Sequence, residues 1–456
     1  MLFTTEWAAT ILKQYSGKPD AQTQIEHVTT NSKESSANTL FIPIVGERFD
    51  GHQFMEEAFN KGAVAAVWQE DLERPEFLPD DFPLFLTTDT TEAMQTLASA
   101  YRILVDPVVV GVTGSNGKTT TKDMIAAVGK TKYKTHHTLG NYNNGIGLPL
   151  TILSMPAETE LLVLEMGMDR FGEIEQLSKI AQPDIAVITN IGESHMAFLG
   201  SREGIAQAKM EIIIGLKENG LLVIDGDEPL LTHADLPSHT ATCGFGSAND
   251  WGVSDVEVQH HQTVFTLGQE SDYTIPLLGK HHALNAAFAA RVGEALSIPR
   301  DVAKKALKSL EWTAMRFELL KGQGDVSVIN DAYNASPTSM KAAIEVVNDM
   351  KGFASKVLVL GDMFELGEDS KAMHRSVTDA IDPTQISAVF TLGEDAKEII
   401  EDIQQHNSSI HTSHAASKYD MIELLSPYLN QDSLILFKAS RGMQFETMIE
   451  RLIDPS

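Results

Sequence analysis

Short runs of consecutive apolar residues mark the middle of the chain: Val108-Val-Val-Gly-Val-Thr113, Leu161-Leu-Val-Leu164, Asp184-Ile-Ala-Val-Ile-Thr189 and Leu221-Leu-Val-Ile224. Segments of helical apolar spacing separate them. Strands without polar alternation are those buried on both faces, so these runs predict a parallel sheet covered by helices. Thr91 to Leu104 has helical spacing and Pro107 closes it ahead of the first run. From Lys122 to Lys130 a helix is predicted, and a small-residue helix over Ala286 to Ala295.

The flanks repeat the strand–helix alternation at different scales. Before about Leu84 the pattern predicts a helix near Thr5 to Tyr15, strands near Ile25 to Thr30, Thr39 to Pro43 and Ala63 to Trp68, and a helix from Gln53 to Lys61. A proline-bearing acidic connection, Arg74-Pro-Glu-Phe-Leu-Pro-Asp-Asp-Phe-Pro83, follows. After Trp312, strands are predicted at Val326–Ile329, Val357–Leu360, Ala388–Thr391 and Ser433–Phe437, with helices between them, as in a doubly wound sheet. Residues 226–275 read as irregular, with a short strand near Thr263–Thr266. The expected fold is therefore α/β in three domains: a small N-terminal module (1–84), a central P-loop ATPase-like parallel sheet (85–312) and a C-terminal Rossmann-like unit (313–456).

The chemistry is concentrated where the first central strand ends. In Thr113-Gly-Ser-Asn-Gly-Lys-Thr-Thr120, Gly114 and Gly117 allow a tight turn with Ser115 and Asn116 between them, and Lys118 offers a point charge to phosphate. The Thr119 hydroxyl, beside Thr120, can reach a magnesium ion. The usual phosphate-loop spacing would put glycine at position 112, where Val112 stands. Ligands of parallel sheets collect at strand carboxyl ends, which points to Glu165, Asn190 and Asp225. Glu165 could share a magnesium ion with Thr119 or cap a helix. His195 and Lys209 taken alone are more often structural or solvated, and Asn285 could cap a helix or touch a nucleobase.

Composition narrows the partners. The chain has 456 residues and a formal net charge of −28. That charge argues against nucleic acid or an anionic membrane as the main partner and requires any anionic substrate to be held locally. With Cys243 as the single cysteine, no intramolecular disulfide can form. No apolar run approaches the ~20 residues that span a bilayer. A cytoplasmic protein without membrane insertion, and a monomer, is expected.

The phosphate loop, Gly140-Asn-Tyr-Asn-Asn-Gly-Ile-Gly-Leu-Pro149, Asp331-Ala-Tyr-Asn-Ala-Ser-Pro337, Leu360-Gly-Asp-Met-Phe-Glu-Leu-Gly367 and Phe437-Lys-Ala-Ser-Arg-Gly442 occur in that order. Together they resemble the Mur ligases, ATP-dependent enzymes that form amide bonds in peptidoglycan precursor synthesis, along the whole chain. Val112 is part of that resemblance. Within the family the match is to the branch that joins D-alanyl-D-alanine to a UDP-N-acetylmuramoyl-tripeptide. The resemblance implies that Gly114, Ser115, Asn116, Gly117, Lys118, Thr119 and Thr120 cradle ATP. It implies two magnesium ions, with Thr119 and Glu165 on one and His195 on the other, and a carbamate formed from Lys209 and carbon dioxide beside them. Asn285 would lie on the adenine side, and Arg316 and Asp331 would approach phosphates and ribose as the third domain closes about a hinge at Trp312 to Met315. Ser32 and Gly46 would contact the UDP-sugar, although Asn31-Ser32-Lys33 departs from the family's Asp-Ser-Arg. Asn141, Asn143, Asn144 and Asn334 would face peptide or metal, and Ser440 and Arg441 the acceptor carboxylate. Competing expectations are an amide ligase adding a single amino acid, to a muramoyl peptide or to folate, and a nucleotide-driven switch with no acceptor.

Overall fold

A computed structural model describes residues 1–46, 49–259, 262–310, 317–406 and 409–453. In the first unit, His27–Thr29, Thr39–Phe41, Ala63–Gln69 and Leu84–Thr87 form a parallel sheet, with Tyr15–Ser16 antiparallel on its edge. The strand expected over Ile25 to Thr30 divides at Glu26: Gln24–Ile25 turns away to pair with Phe3–Thr4. Leu84–Thr87, only four residues long, follows Pro83 directly and gave no separate periodic signal, yet it pairs with Ala66–Gln69. The sheet of the first unit therefore continues past residue 84.

The helix Thr90–Val105 ties the first unit to the second. Asp89 caps it by accepting the amides of Thr91 and Glu92 at 2.7 and 3.1 Å, a contribution of about 1 kcal/mol. Its C-cap Asp106 turns left-handed just before Pro107. Phe3 packs edge-on against Tyr101, whose hydroxyl donates to the Met155 carbonyl at 2.8 Å. One apolar core thus runs through both units.

Among the described residues the central sheet has nine strands. Thr135–His137, Leu161–Glu165, Val108–Thr113, Ile185–Ile188, Leu221–Asp225, Thr240–Gly244 and Trp251–Val258 are parallel in that spatial order. Thr263–Leu267 and Glu270–Ile275 then extend it antiparallel. The stretch expected to be irregular, 226–275, therefore carries four strands among its described residues, all of them after residue 239. These strands interleave polar and apolar positions, because this end of the sheet is covered less evenly than its centre. At the centre, alternate residues of each apolar run enter opposite cores: Leu162, Leu164, Ala186 and Ile188 on one face, Leu161, Val163, Ile185 and Val187 on the other. Two helices start earlier than expected, at Lys118 and Lys280. They pack closely through small residues; a Cβ at Gly293 would lie 2.8 Å from Val128 Cγ1.

In the third unit the order is Glu318–Lys321, Ser327–Asn330, Ser433–Lys438, Ser355–Gly361, Ala388–Leu392 and His411–Ala415, all parallel except the first. The first and last of these carry polar side chains at the sheet edges and lacked the apolar run that marked the other four. Among the described residues no helix is long and apolar enough to cross a membrane.

Candidate functional site

The phosphate loop is held in shape by the neighbouring strand's end. Gly114 has φ +149°, and a Cβ there would come 1.8 Å from Thr189 Oγ1. No other residue fits. The Thr189 hydroxyl donates to the Asn116 carbonyl at 2.6 Å, and Asn190 Oδ1 accepts the Asn116 amide at 2.9 Å. Ser115 donates its amide to the Asn190 carbonyl at 3.1 Å, and its hydroxyl accepts the Gly192 amide at 2.9 Å. Gly117, at φ +78°, lets the chain enter the helix Lys118–Gly129, which no side chain caps. Backbone N–H groups at such a helix start take an anion readily. Lys118 arches back over the loop, its Nζ 2.8 Å from the Gly114 carbonyl.

Beside the loop, Glu165 ends its strand only 2% exposed. Its Oε1 accepts from Asn143 Nδ2 at 2.9 Å, while Oε2 is buried without a hydrogen-bond partner. An ionised oxygen left in that state is costly unless a ligand meets it. His195 sits at φ 66°, its Nδ1 2.7 Å from Glu365 Oε2 and 3.2 Å from Asp169 Oδ1. The three could hold a cation together. Burial holds the His195 imidazole below its ordinary value, against the pull of Glu365. Lys209, near the end of the helix Arg202–Met210, is also only 2% exposed. Burial, and then the Lys118 cation, push its ammonium pKa far down. Asp225 is pushed up to about 6, chiefly by burial.

Glu165, Asp169, His195 and Asp225 open into a cavity of about 380 Å³ that the third unit completes, whereas Lys209 and Glu365 do not line it. Ser115, Asn116, Gly117, Lys118, Thr119, Thr120, Asn143, Asn144, Glu165, His195, Asn285, Asp331 and Asn334 all line it. Asn285 lies inside the helix Lys280–Ala295, whose cap position is Gly279, so it is not a cap. Its Oδ1 instead stands over Gly117, 2.7 Å from where a Cβ would be. Asp331 is ion-paired with the buried Lys438 and accepts the Phe317 amide at 3.2 Å.

Other expected residues lie away from the cavity. Ser32 donates to Glu57 Oε2 at 2.5 Å, and Gly46 pairs antiparallel with Phe49. Asn141 is exposed on its loop. Ser440 is buried and accepts the Phe364 amide at 2.9 Å, tying two loops together, while Arg441 pairs with Glu446 at 3.1 Å. Arg316 and the hinge at Trp312 to Met315 lie outside the described residues. Four residues that matter here were missed as site residues: Asp169, Glu193, Glu365 and Lys438. Glu365 and Lys438 stood inside motifs already singled out, and Asp169 follows the Glu165 strand by four positions, so strand-end placement could have found them.

A phosphate cradle at the carboxyl edge of a parallel sheet, faced by a second doubly wound unit across a polar cavity, defines a nucleotide-dependent enzyme whose site is completed between units. Comparison with known proteins is specific. Models for the Mur ligase family catalytic domain, the Mur ligase middle domain and the Mur ligase glutamate ligase domain match residues 24–102, 112–293 and 315–441. The UDP-N-acetylmuramoyl-tripeptide--D-alanyl-D-alanine ligase of Bacillus subtilis (strain 168) is 49% identical over 434 residues, 95% of this chain and 94% of that protein. The Escherichia coli (strain K12) enzyme of the same name is 33% identical over 95% and 94%. Among solved structures, MurF from Acinetobacter baumannii matches at TM-score 0.87 with 27% identity, covering 99% of both chains. MurF ligase from Thermotoga maritima in complex with ADP matches at 0.81 with 32% identity, covering 93% of this chain and 96% of that one. The chain belongs to the Mur ligase family, and it is an ATP-dependent ligase that forms amide bonds.

Proposed function

We propose that the chain joins D-alanyl-D-alanine to the terminal carboxylate of UDP-N-acetylmuramoyl-tripeptide, converting ATP to ADP and phosphate. The reading rests on one cavity into which the phosphate loop, Glu165, His195 and the third unit's Asp331 and Asn334 all open. Whole-length likeness to UDP-N-acetylmuramoyl-tripeptide--D-alanyl-D-alanine ligases favours this acceptor over a single amino acid.

A free carboxylate resists amine attack because the leaving group would be oxide, so it is first phosphorylated. A carboxylate oxygen attacks the γ-phosphorus, the bond to the β-phosphate oxygen breaks and ADP leaves. Lys118, turned from the Gly114 carbonyl toward the phosphates, offsets the charge that develops there. The acceptor amine, having lost a proton, then attacks the carbonyl carbon; the C–N bond forms and phosphate is expelled.

The residues fit two magnesium ions. The unpartnered buried Oε2 of Glu165 and the buried Thr119 suit one, and His195 with Asp169 and Glu365 suits the other. Bound there, magnesium supplies charge neutralisation at the transferring phosphoryl group. Lys209 fits carbamate formation: burial favours its neutral amine, the nucleophile that carbon dioxide captures, and the charge acting on it is the cation Lys118 rather than an acid. Asn143 positions Glu165 through Oε1. Asn285 lies toward the adenine, Asp331 toward the ribose, and the exposed fork of Arg441 toward the acceptor carboxylate. The first unit, with Ser32 and Gly46, holds the UDP-sugar.

The test is a phosphate-release assay with UDP-N-acetylmuramoyl-tripeptide, D-alanyl-D-alanine and ATP, each omitted in turn. Release only with all three present, together with a pentapeptide product, is expected. Release without the dipeptide would indicate a switch, and release with a single amino acid in its place would indicate a different ligase.

A further inference from the structure

The loop after the strand Ile185–Ile188 serves two units at once. Through Thr189, Asn190 and Gly192 it holds the phosphate loop, as described above. One residue later, Glu193 crosses to the third unit: it accepts the Thr338 hydroxyl at 2.9 and 2.7 Å on its two oxygens and the Thr338 amide at 3.3 Å. Thr338 lies in the first turn of the thirteen-residue helix Pro337–Asp349, where a carboxylate is favoured by the helix dipole and by donors with no intrahelical partner. Beside it, Asn116 of the phosphate loop and Ser336, the cap of the same helix, approach within 3.3 Å. The segment from Asp331 to Ser336 runs unbroken from the cavity wall to that cap. Fixing Ser336 and Thr338 therefore sets where Asp331 and Asn334 meet the nucleotide.

We propose that Glu193 is a positioning residue that couples phosphate-loop occupancy to docking of the third unit, acting through Thr338 and the helix Pro337–Asp349. The role rests on the ATP-dependent reading of this cavity but not on the identity of the acceptor. The Asn190–Gly192 segment, bonded to Ser115 and Asn116, holds Glu193 in place beside the phosphate loop, and nucleotide bound there favours docking on Glu193 because Asp331 and Asn334 then reach it. Reciprocally, a docked third unit tightens nucleotide binding by the same factor. Glu193 lies at a solvent-accessible seam rather than in a core, so its replacement leaves both units folded.

The experiment is small-angle X-ray scattering of the full chain titrated with a non-hydrolysable ATP analogue and magnesium, without peptide substrates. Wild type contracts as the analogue saturates. Glu193→Ala is expected to need about tenfold more analogue for half-maximal contraction, with an unchanged melting temperature when no nucleotide is present. Thr338→Val, which removes the hydroxyl and leaves the amide, is expected to shift less. The double variant should match Glu193→Ala alone, because the two side chains act as one contact. Contraction of Glu193→Ala at the wild-type concentration, or additive shifts in the double variant, would overturn the proposal. The shift supports the coupling even if the wild-type chain failed to ligate D-alanyl-D-alanine, a result that would sink the acceptor assignment alone.

Discussion

On the central-unit wall of the cavity, Ser115, Asn116 and Gly117 are held by Thr189, Asn190, Gly192 and Asn285, all from the same unit. On the opposite wall, Asp331 and Lys438 hold each other, and the wall reaches the central unit through polar contacts at Ser336, Thr338 and Glu365. Another such contact is the Lys280–Glu345 ion pair at 2.9 Å. The first wall is preformed by a buried sheet. The second is delivered across a seam of polar contacts and one apolar contact, Leu278 against the third unit's core, and a seam of that kind between units can open. A triphosphate can thus be received by a rigid cradle before the residues that complete the reaction arrive.

That contrast can be broken or sharpened by substitution. The largest effect is expected at Lys118. Lys118→Ala should abolish ligation beyond any rescue, since losing a preorganised electrostatic contact to the transition state alone costs about 10²–10³-fold. Its circular dichroism and melting curve should stay unchanged. Ligation near the wild-type rate would remove Lys118 from the chemistry.

Lys209 should follow, with two separable readouts. Lys209→Ala is expected to be inactive and partly restored by a small carboxylate such as acetate; full activity without rescue would eliminate the carbamate. The second readout is stability in bicarbonate-free, metal-free buffer. Because burial lowers the folded-state pKa of Lys209, the unfolded chain binds more protons wherever pH lies between that value and the ordinary lysine value of about 10.4. Stability from this group therefore rises with pH across that window and is lost as pH falls. Lys209→Met should flatten that slope and raise the melting temperature at pH 7 by about 2–4 °C for each ~1 kcal/mol recovered. An unchanged slope would mean that the amine is not desolvated.

The smallest of these effects belongs to the delivered wall. Lys438→Met should raise KM for ATP by about tenfold, the scale of one charge-assisted hydrogen bond, while leaving nucleotide-free folding of the central unit intact. An unchanged KM would separate the Asp331–Lys438 pair from nucleotide contact.

The preformed wall was also the legible one. Gly114 and Gly117 stand where the backbone needs positive φ, and Lys118 and Thr119 follow at fixed spacing, so local sequence carries the whole motif. Glu165 was marked by the end of an apolar run. Asn143 was visible as part of a motif, but its bond to Glu165 Oε1 depends on a loop folding back over 22 residues. Glu193 carried no signal, since an acidic side chain in a polar loop is ordinary until a partner stands opposite it, and Asp169 had only its place just past a strand end. The edge strands Glu318–Lys321 and His411–Ala415 were missed for a related reason: half-solvated strands need no continuous apolar run.

The sequence by itself determined the parallel cores, the phosphate turn and the family, because apolar runs, glycine positions and ordered motifs are local properties of the chain. Tertiary structure alone decided which Glu165 oxygen is left open, that Lys209 is buried beside Lys118, and that Glu193 meets Thr338 across 145 positions. Burial, electrostatic neighbours and contacts between units depend on what lies opposite in space, and a chain read in one dimension does not encode them locally.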